Sequence, residues 1–151
     1  MIITRAAPED AQEILDLQKL AYQSEAAIYQ DWAIAPLTQT LAELQAEMEV
    51  RLFLKAVAAE RIVGSVRALL EEGTCFIGRL IVHPDYQNRG LGQKLMQEIE
   101  GHFSQSRRYE LFTGHRSERN LYLYQKLGYR RFKIEKILDK LTIVFLEKNR
   151  L

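Results

Sequence analysis

His83-Pro84-Asp85-Tyr86-Gln87-Asn88-Arg89-Gly90-Leu91-Gly92 has the residue types of an anion-binding turn, a strand end that passes through glycines into a helix. The first amides of a helix lack internal partners, and the aligned peptide dipoles place about half a positive charge there, so a phosphate can accept several donors at once. Gly90 and Gly92 carry no Cβ, which lets phosphate oxygens approach the main chain and permits dihedral angles that other residues avoid. Arg89 adds a charge-assisted donor. Taken alone, such a segment equally describes a plain turn. A nucleoside-triphosphate loop requires Lys-Ser or Lys-Thr after its second glycine, where Gln93-Lys94 stands here. A dinucleotide fingerprint requires three glycines after the first strand of a parallel unit, and neither pattern is satisfied.

The elements that must hold this turn follow from periodicity. Ile2 to Arg5 is a short apolar start, and Pro8, Glu9 and Asp10 suit the first turn of a helix whose inner face is Ile14, Leu17, Leu20 and Ala21. From Tyr22 to Pro36 the periodicity fades and aromatics gather, which reads as a loop. Thr40 and Glu43 then offer a capping box for a second helix, with Leu41, Leu44 and Met48 inward. Leu52 to Val57, Ile62 to Leu70 and Thr74 to Val82 are β-rich runs in an antiparallel meander, the last stopped by Pro84. Leu91, Leu95, Ile99 and Phe103 mark a third helix. Glu110 to Thr113 is a brief strand, and Ser117 can cap a fourth helix bearing Leu121, Tyr124 and Leu127 that Gly128 ends. Two final strands, about Tyr129 to Ile137 and Leu141 to Glu147, pair around Leu138-Asp139-Lys140.

Bulk properties narrow the class. The 151 residues suit one domain, 1–151, with one core. The 21 Lys and Arg nearly cancel 20 Asp and Glu, so the positive surplus that nucleic acid draws on is missing. No apolar run approaches the roughly 20 residues of a membrane span, and no signal-peptide pattern opens the chain, which points to a soluble cytoplasmic protein. The single cysteine, Cys75, excludes an internal disulfide and cannot assemble a thiolate metal site; no metal is expected.

Gln87-Asn88-Arg89-Gly90-Leu91-Gly92 resembles the Gln/Arg-x-x-Gly-x-Gly/Ala signature of the GNAT superfamily of N-acetyltransferases. Gly78 to Pro84 resembles that family's fourth strand, and Leu123-Tyr124-Gln125-Lys126-Leu127-Gly128-Tyr129 its later helix-to-strand junction, in the family's order. The resemblance implies an α/β (α+β) fold, a mixed, mostly antiparallel central sheet of about seven strands with about four helices on its faces. It implies acetyl-CoA as co-substrate, with strands four and five splayed so that pantetheine pairs with the main chain of Leu80, Ile81 and Val82. On the same analogy the amides of Gln87, Asn88, Arg89, Gly90, Leu91 and Gly92 cradle the pyrophosphate. Asn120, four residues before Tyr124 and so on nearly the same helix face, is placed to reach the cofactor arm, although the family's usual asparagine falls nearer Ser117.

Acyl transfer from a thioester to an amine needs a neutral amine, a held oxyanion and a proton for the departing thiolate. By resemblance Tyr124 is the acid, since a phenol of pKa about 10 stays protonated at neutral pH yet donates a hydrogen bond. Spacing alone favours packing of its ring beside Leu121 and Leu127; Leu123 and Lys126-Leu127-Gly128 around it favour catalysis. A main-chain amide near Val82 suits the oxyanion. A lysine-like amine of pKa about 10.4 is neutral only to a few parts in ten thousand at pH 7, a deficit of about 4.6 kcal/mol. Many relatives place a carboxylate on the fourth strand for this, but Cys75, Phe76, Ile77 and Gly78 supply none. Glu25, Glu71 and Glu72 are the nearest alternatives, and none is singled out.

His83 reads as a cap for local backbone and Cys75 as packing. Tyr22, Tyr29 and Trp32 lie where the family lines its acceptor side, either as a lid or as core. Arg67 and Arg79 can recognise an acceptor carboxylate or phosphate if their strand faces point into the cleft. The expected activity is acetyl transfer from acetyl-CoA to a primary amine, on a small molecule or a protein, by direct attack in a ternary complex. A non-catalytic acyl-CoA sensor of the same fold and a binder of another nucleotide are the competing readings. A homodimer through the final strands is compatible with the sequence but draws no support from periodicity.

Overall fold

The computed structural model describes residues 1–150. The β-rich runs form one seven-stranded sheet of β1 (Ile2–Arg5), β2 (Leu52–Ala58), β3 (Arg61–Glu71), β4 (Thr74–Val82), β5 (Arg108–Gly114), β6 (Arg130–Leu138) and β7 (Leu141–Asn149), in the spatial order β1-β2-β3-β4-β5-β7-β6. Every neighbouring pair is antiparallel except β4 and β5. That parallel pair is bonded only where Thr74–Phe76 meets Arg108–Glu110, so the strands part beyond Phe76. β4 also carries a bulge. Ser65 faces Ile81 and Arg67 faces Gly78, which leaves Arg79 and Leu80 opposite Val66 alone, and Arg79 sits at φ 49. An extra residue of this kind bends its strand and re-aims the adjacent side chains.

Helices cover both faces. On one, α1 (Ala11–Ala21) and α4 (Leu41–Val50) lay Ile14, Leu17 and Leu44 on Phe53, Ile62 and Ile81. On the other, α5 (Leu91–His102) and α6 (Glu118–Lys126) set Leu95, Met96, Ile99 and Leu121 against Val66, Tyr109 and Leu146. Each fully buried Leu or Ile here contributes about 1.5–3 kcal/mol relative to exposure. β3 is buried from Ile62 to Ala68 because it runs between both layers. The capping box of α4 forms as its sequence predicts, with Glu43 N–H donating to Thr40 Oγ1 and Thr40 N–H to Glu43 Oε1.

Three sequence expectations give way. The stretch after Tyr22 is not a loop throughout: α2 (Gln23–Tyr29) continues from α1 after one residue and ends at Gln30 in the left-handed conformation, and a one-turn α3 (Ala35–Thr38) follows. The described residues thus hold six α-helices rather than about four. Leu20 is 44 % exposed rather than part of the α1 inner face. Ser117 begins α6 with its backbone, but its hydroxyl leaves the helix end and turns to α2.

Candidate active site

Where β4 and β5 part, two cavities open, of about 760 and 720 Å³, within the range of ligand clefts. They share Tyr22, Glu25, Leu80, Ser117 and Asn120, so they meet at that constellation.

The first cavity lies at the head of α5. Gly90 is the N-cap at φ 79, and the first intrahelical bond runs from Lys94 N–H to Gly90 O. The amides of Leu91, Gly92 and Gln93 are therefore outside the helix ladder, and these residues line the cavity. A Cβ on Gly90 would meet no protein atom within 4 Å, so the glycine keeps space open there rather than serving packing. Leu80, Ile81, Val82, Gln87, Asn88, Gly90, Leu91, Gly92 and Asn120 all line this cavity. Arg89 does not: it is exposed, with its guanidinium 5.2 Å over the Tyr86 ring. Gln87 is held by its own contacts, Nε2 donating to Val82 O and Oε1 accepting from Arg119. Past Phe76 the β5-facing edge of β4 has no ladder partner, which leaves main-chain donors and acceptors along the cavity wall.

Tyr124 is buried on α6 and lines the second cavity. Burial, with Tyr22 and Glu25 nearby, pushes its pKa up, and no hydrogen bond counters this. The phenol therefore remains protonated with its donor uncommitted. Cys75 is buried in β4 and its thiol is pushed up to about 12, chiefly by burial, which keeps it out of nucleophilic chemistry at neutral pH. His83 accepts from Asp85 N–H through Nδ1, the local capping its sequence position suggests.

The residue that sequence reading left in the background is Glu25. Its carboxylate accepts from Ser117 Oγ at 3.0 Å and from Asn120 Nδ2 at 3.0 Å. Asn120 also donates to Thr113 Oγ1, so its amide nitrogen is engaged by protein groups. An ionised carboxylate only accepts, so Ser117 must spend its one hydrogen on Glu25. Tyr29 must in turn donate to Ser117 at 2.8 Å while accepting from Arg116 N–H. Gly114 makes room for this, since a Cβ there would collide with the Tyr29 hydroxyl. Burial raises the Glu25 pKa and the Ser117 bond pulls partly the other way. The signal was present in the sequence: Tyr22, Glu25, Ala26 and Tyr29 lie at helical spacing, but a glutamate on the inward face breaks the apolar stripe. Glu71 is exposed, and Trp32 is 53 % exposed and lines neither cavity.

A mixed sheet parted between two parallel strands, with a helix amino end at the opening, is the frame of an acyltransferase. Residues 50–131 match the family model of the acetyltransferase (GNAT) domain, and the chain belongs to that family of N-acetyltransferases, which use acetyl-CoA. The fold is shared with PaiA N-acetyltransferase from Thermoplasma acidophilum in complex with coenzyme A, at 19 % identity, TM-score 0.79, and coverage of 99 % of this chain and 100 % of that one. It is shared also with the ribosomal-protein-alanine N-acetyltransferase from Brucella melitensis (16 %, TM-score 0.77, 99 % and 100 %) and the IAA acetyltransferase from Bacillus cereus (20 %, TM-score 0.75, 99 % and 99 %). No curated protein sequence matches the chain. No helix among the described residues is long and apolar enough to cross a membrane.

Proposed function

We propose that this chain, as a single transferase domain over residues 1–151, acetylates a primary amine by direct attack in a ternary complex. The observation that carries this is the meeting of the two cavities at Glu25, Tyr22, Leu80, Ser117 and Asn120, with Tyr124 in the wall of the second. Acetyl-CoA supplies the activated thioester. The free amides at Leu91 to Gln93 and the open space over Gly90 suit its pyrophosphate, with Gln87 and Asn88 lining the same wall. The unpaired edge of β4 at Leu80, Ile81 and Val82 suits the pantetheine amides and offers a donor for the oxyanion. Arg89, on the rim, adds long-range attraction for phosphate rather than a seat.

Tyr124 donates its uncommitted O–H toward the departing sulfur. Glu25, on α2 rather than β4, takes the proton from the acceptor ammonium. Its raised pKa makes it a stronger base than an exposed glutamate, and Ser117 and Asn120 fix its orientation. Glu25 supplies the carboxylate that β4 lacks, which supports catalysis over a module that only binds acyl-CoA.

The test is thiol release from acetyl-CoA across an amine panel. One acceptor class is expected to drive release, with Tyr124→Phe slowing turnover by about 100-fold at unchanged coenzyme A affinity. Release that no amine stimulates, or that is indifferent to Tyr124, would refute the reading.

A further inference from the structure

We infer that the acceptor amine carries a carboxylate, and that Arg79 in the wall of the second cavity binds it. The inference rests on the proposed acetyl transfer and names its substrate class. Arg79 stands at the β4 bulge, lines the second cavity, and holds a guanidinium nitrogen, Nη1, out of solvent with no hydrogen-bond partner among the described residues. A buried donor without a partner is uncommon, and no carboxylate among the described residues answers the Arg79 charge, so that charge is available to a ligand in the cavity.

Arg67 lies in the same wall at 2 % exposure. Its Nη1 donates to Glu47 and its Nη2 to Gln18, while Nε has no partner, and the plane lies 4.3 Å over Phe53. Burial pushes its pKa down to about 10, against Glu47 and aided by the charge of Arg79, so it stays charged and Arg79 is close enough to be felt. The one carboxylate bonded to Arg67 is also shared with Arg51. Of the other acids in the cavity, Glu110 pairs with Arg108, Asp31 accepts from Ala33 N–H, Glu71 is exposed, and Glu25 is held by Ser117 and Asn120. None forms an ion pair with Arg79.

The planar fork of Arg79 matches a carboxylate in geometry and in sign of charge. It would repel a polyamine. The rest of the wall, including Ile34, Leu69, Phe76, Leu141 and Ile143, is apolar and suits a hydrocarbon body. The acceptor that fits is an amino acid with an apolar side chain.

The experiment compares leucine and phenylalanine with their amides as acceptors, and measures N-acetylleucine and its amide by calorimetry on coenzyme A-loaded protein. The amides have the less basic amine, so a preference for the acids cannot come from reactivity. The acids are expected to win, and Arg79→Gln to raise their KM and weaken N-acetylleucine binding by roughly 10- to 100-fold. In that variant kcat and coenzyme A affinity should be little changed, with partial rescue by Arg79→Lys. Equal use of acids and amides, a stronger response to aminoethyl phosphate, or an Arg79→Gln protein that binds N-acetylleucine as before would overturn the inference. Failure of the underlying activity looks different, as no thiol release with any amine; the calorimetric comparison of acid and amide then still decides the carboxylate site.

Discussion

Glu25 carries two opposed demands. As a base it must be ionised, yet burial favours its protonated form and holds its pKa above that of an exposed glutamate. The native state therefore keeps this proton to higher pH than the unfolded chain. By linkage, the contribution of Glu25 to stability is fully present below the unfolded pKa, about 4.3, and is lost as pH rises through the raised folded value. Glu25→Gln escapes that loss and keeps the contact with Asn120, while Ser117 can reverse its hydroxyl. We expect the variant to unfold at a higher temperature than the native protein at pH 7, with the difference vanishing toward pH 4, and to lose about 100-fold or more in turnover. Calorimetric scans at both pH values with acetyl-transfer rates check this. A variant less stable at pH 7 would contradict the linkage, and a fully active one would remove Glu25 from the mechanism. In the native enzyme the rate should climb with pH through the raised pKa of Glu25, because only the carboxylate accepts the proton.

At the scale of elements, the head of α5 is set by Gly90 in the left-handed region and by a ladder that starts only at Lys94. Gly90→Val should be doubly costly. A β-branched residue at φ 79 strains the turn by about 1–2 kcal/mol, and its side chain enters the space that suits a phosphate. Coenzyme A affinity measured by titration is expected to fall at least about tenfold, and unchanged affinity would place the pyrophosphate elsewhere. Periodicity was a sound guide wherever an element buries a continuous apolar stripe, as in α4, α5 and the β2–β4 meander. It was a poor guide for α2, whose inward face mixes Tyr22, Glu25, Ala26 and Tyr29 because it borders a cavity instead of a core. Ser117 shows the same limit: its sequence position is that of a cap, yet its hydroxyl serves a carboxylate 92 positions away.

Across the whole molecule, the sheet is continuous from β1 to β4 and from β5 to β6, joined only by three residue pairs at the base of the gap. A ligand that pairs with the free edge of β4 and caps α5 adds bonds to both sides of this weak seam. Coenzyme A at 100 times its Kd should stabilise the fold by about 2.7 kcal/mol. For a domain of this size that corresponds to a rise in Tm of about 5–10 °C. A Tm indifferent to saturating coenzyme A would contradict the seat, whereas ATP at equal concentration should shift it less.

Sequence alone determined what depends on local chemistry. The glycine turn at Gln87 to Gly92, the order of the strands, the cap at Thr40, the stop at Gly128 and the family resemblance all follow from residue types a few positions apart, where steric and hydrogen-bonding preferences act directly. Tertiary structure alone decided the convergence of distant groups: Glu25 with Ser117 and Asn120, Tyr29 under Gly114, and Arg79 beside Arg67. Such contacts arise because the sheet parts at Phe76 and the helices dock across the opening. Long-range packing sets that geometry, and no spacing along the chain encodes it.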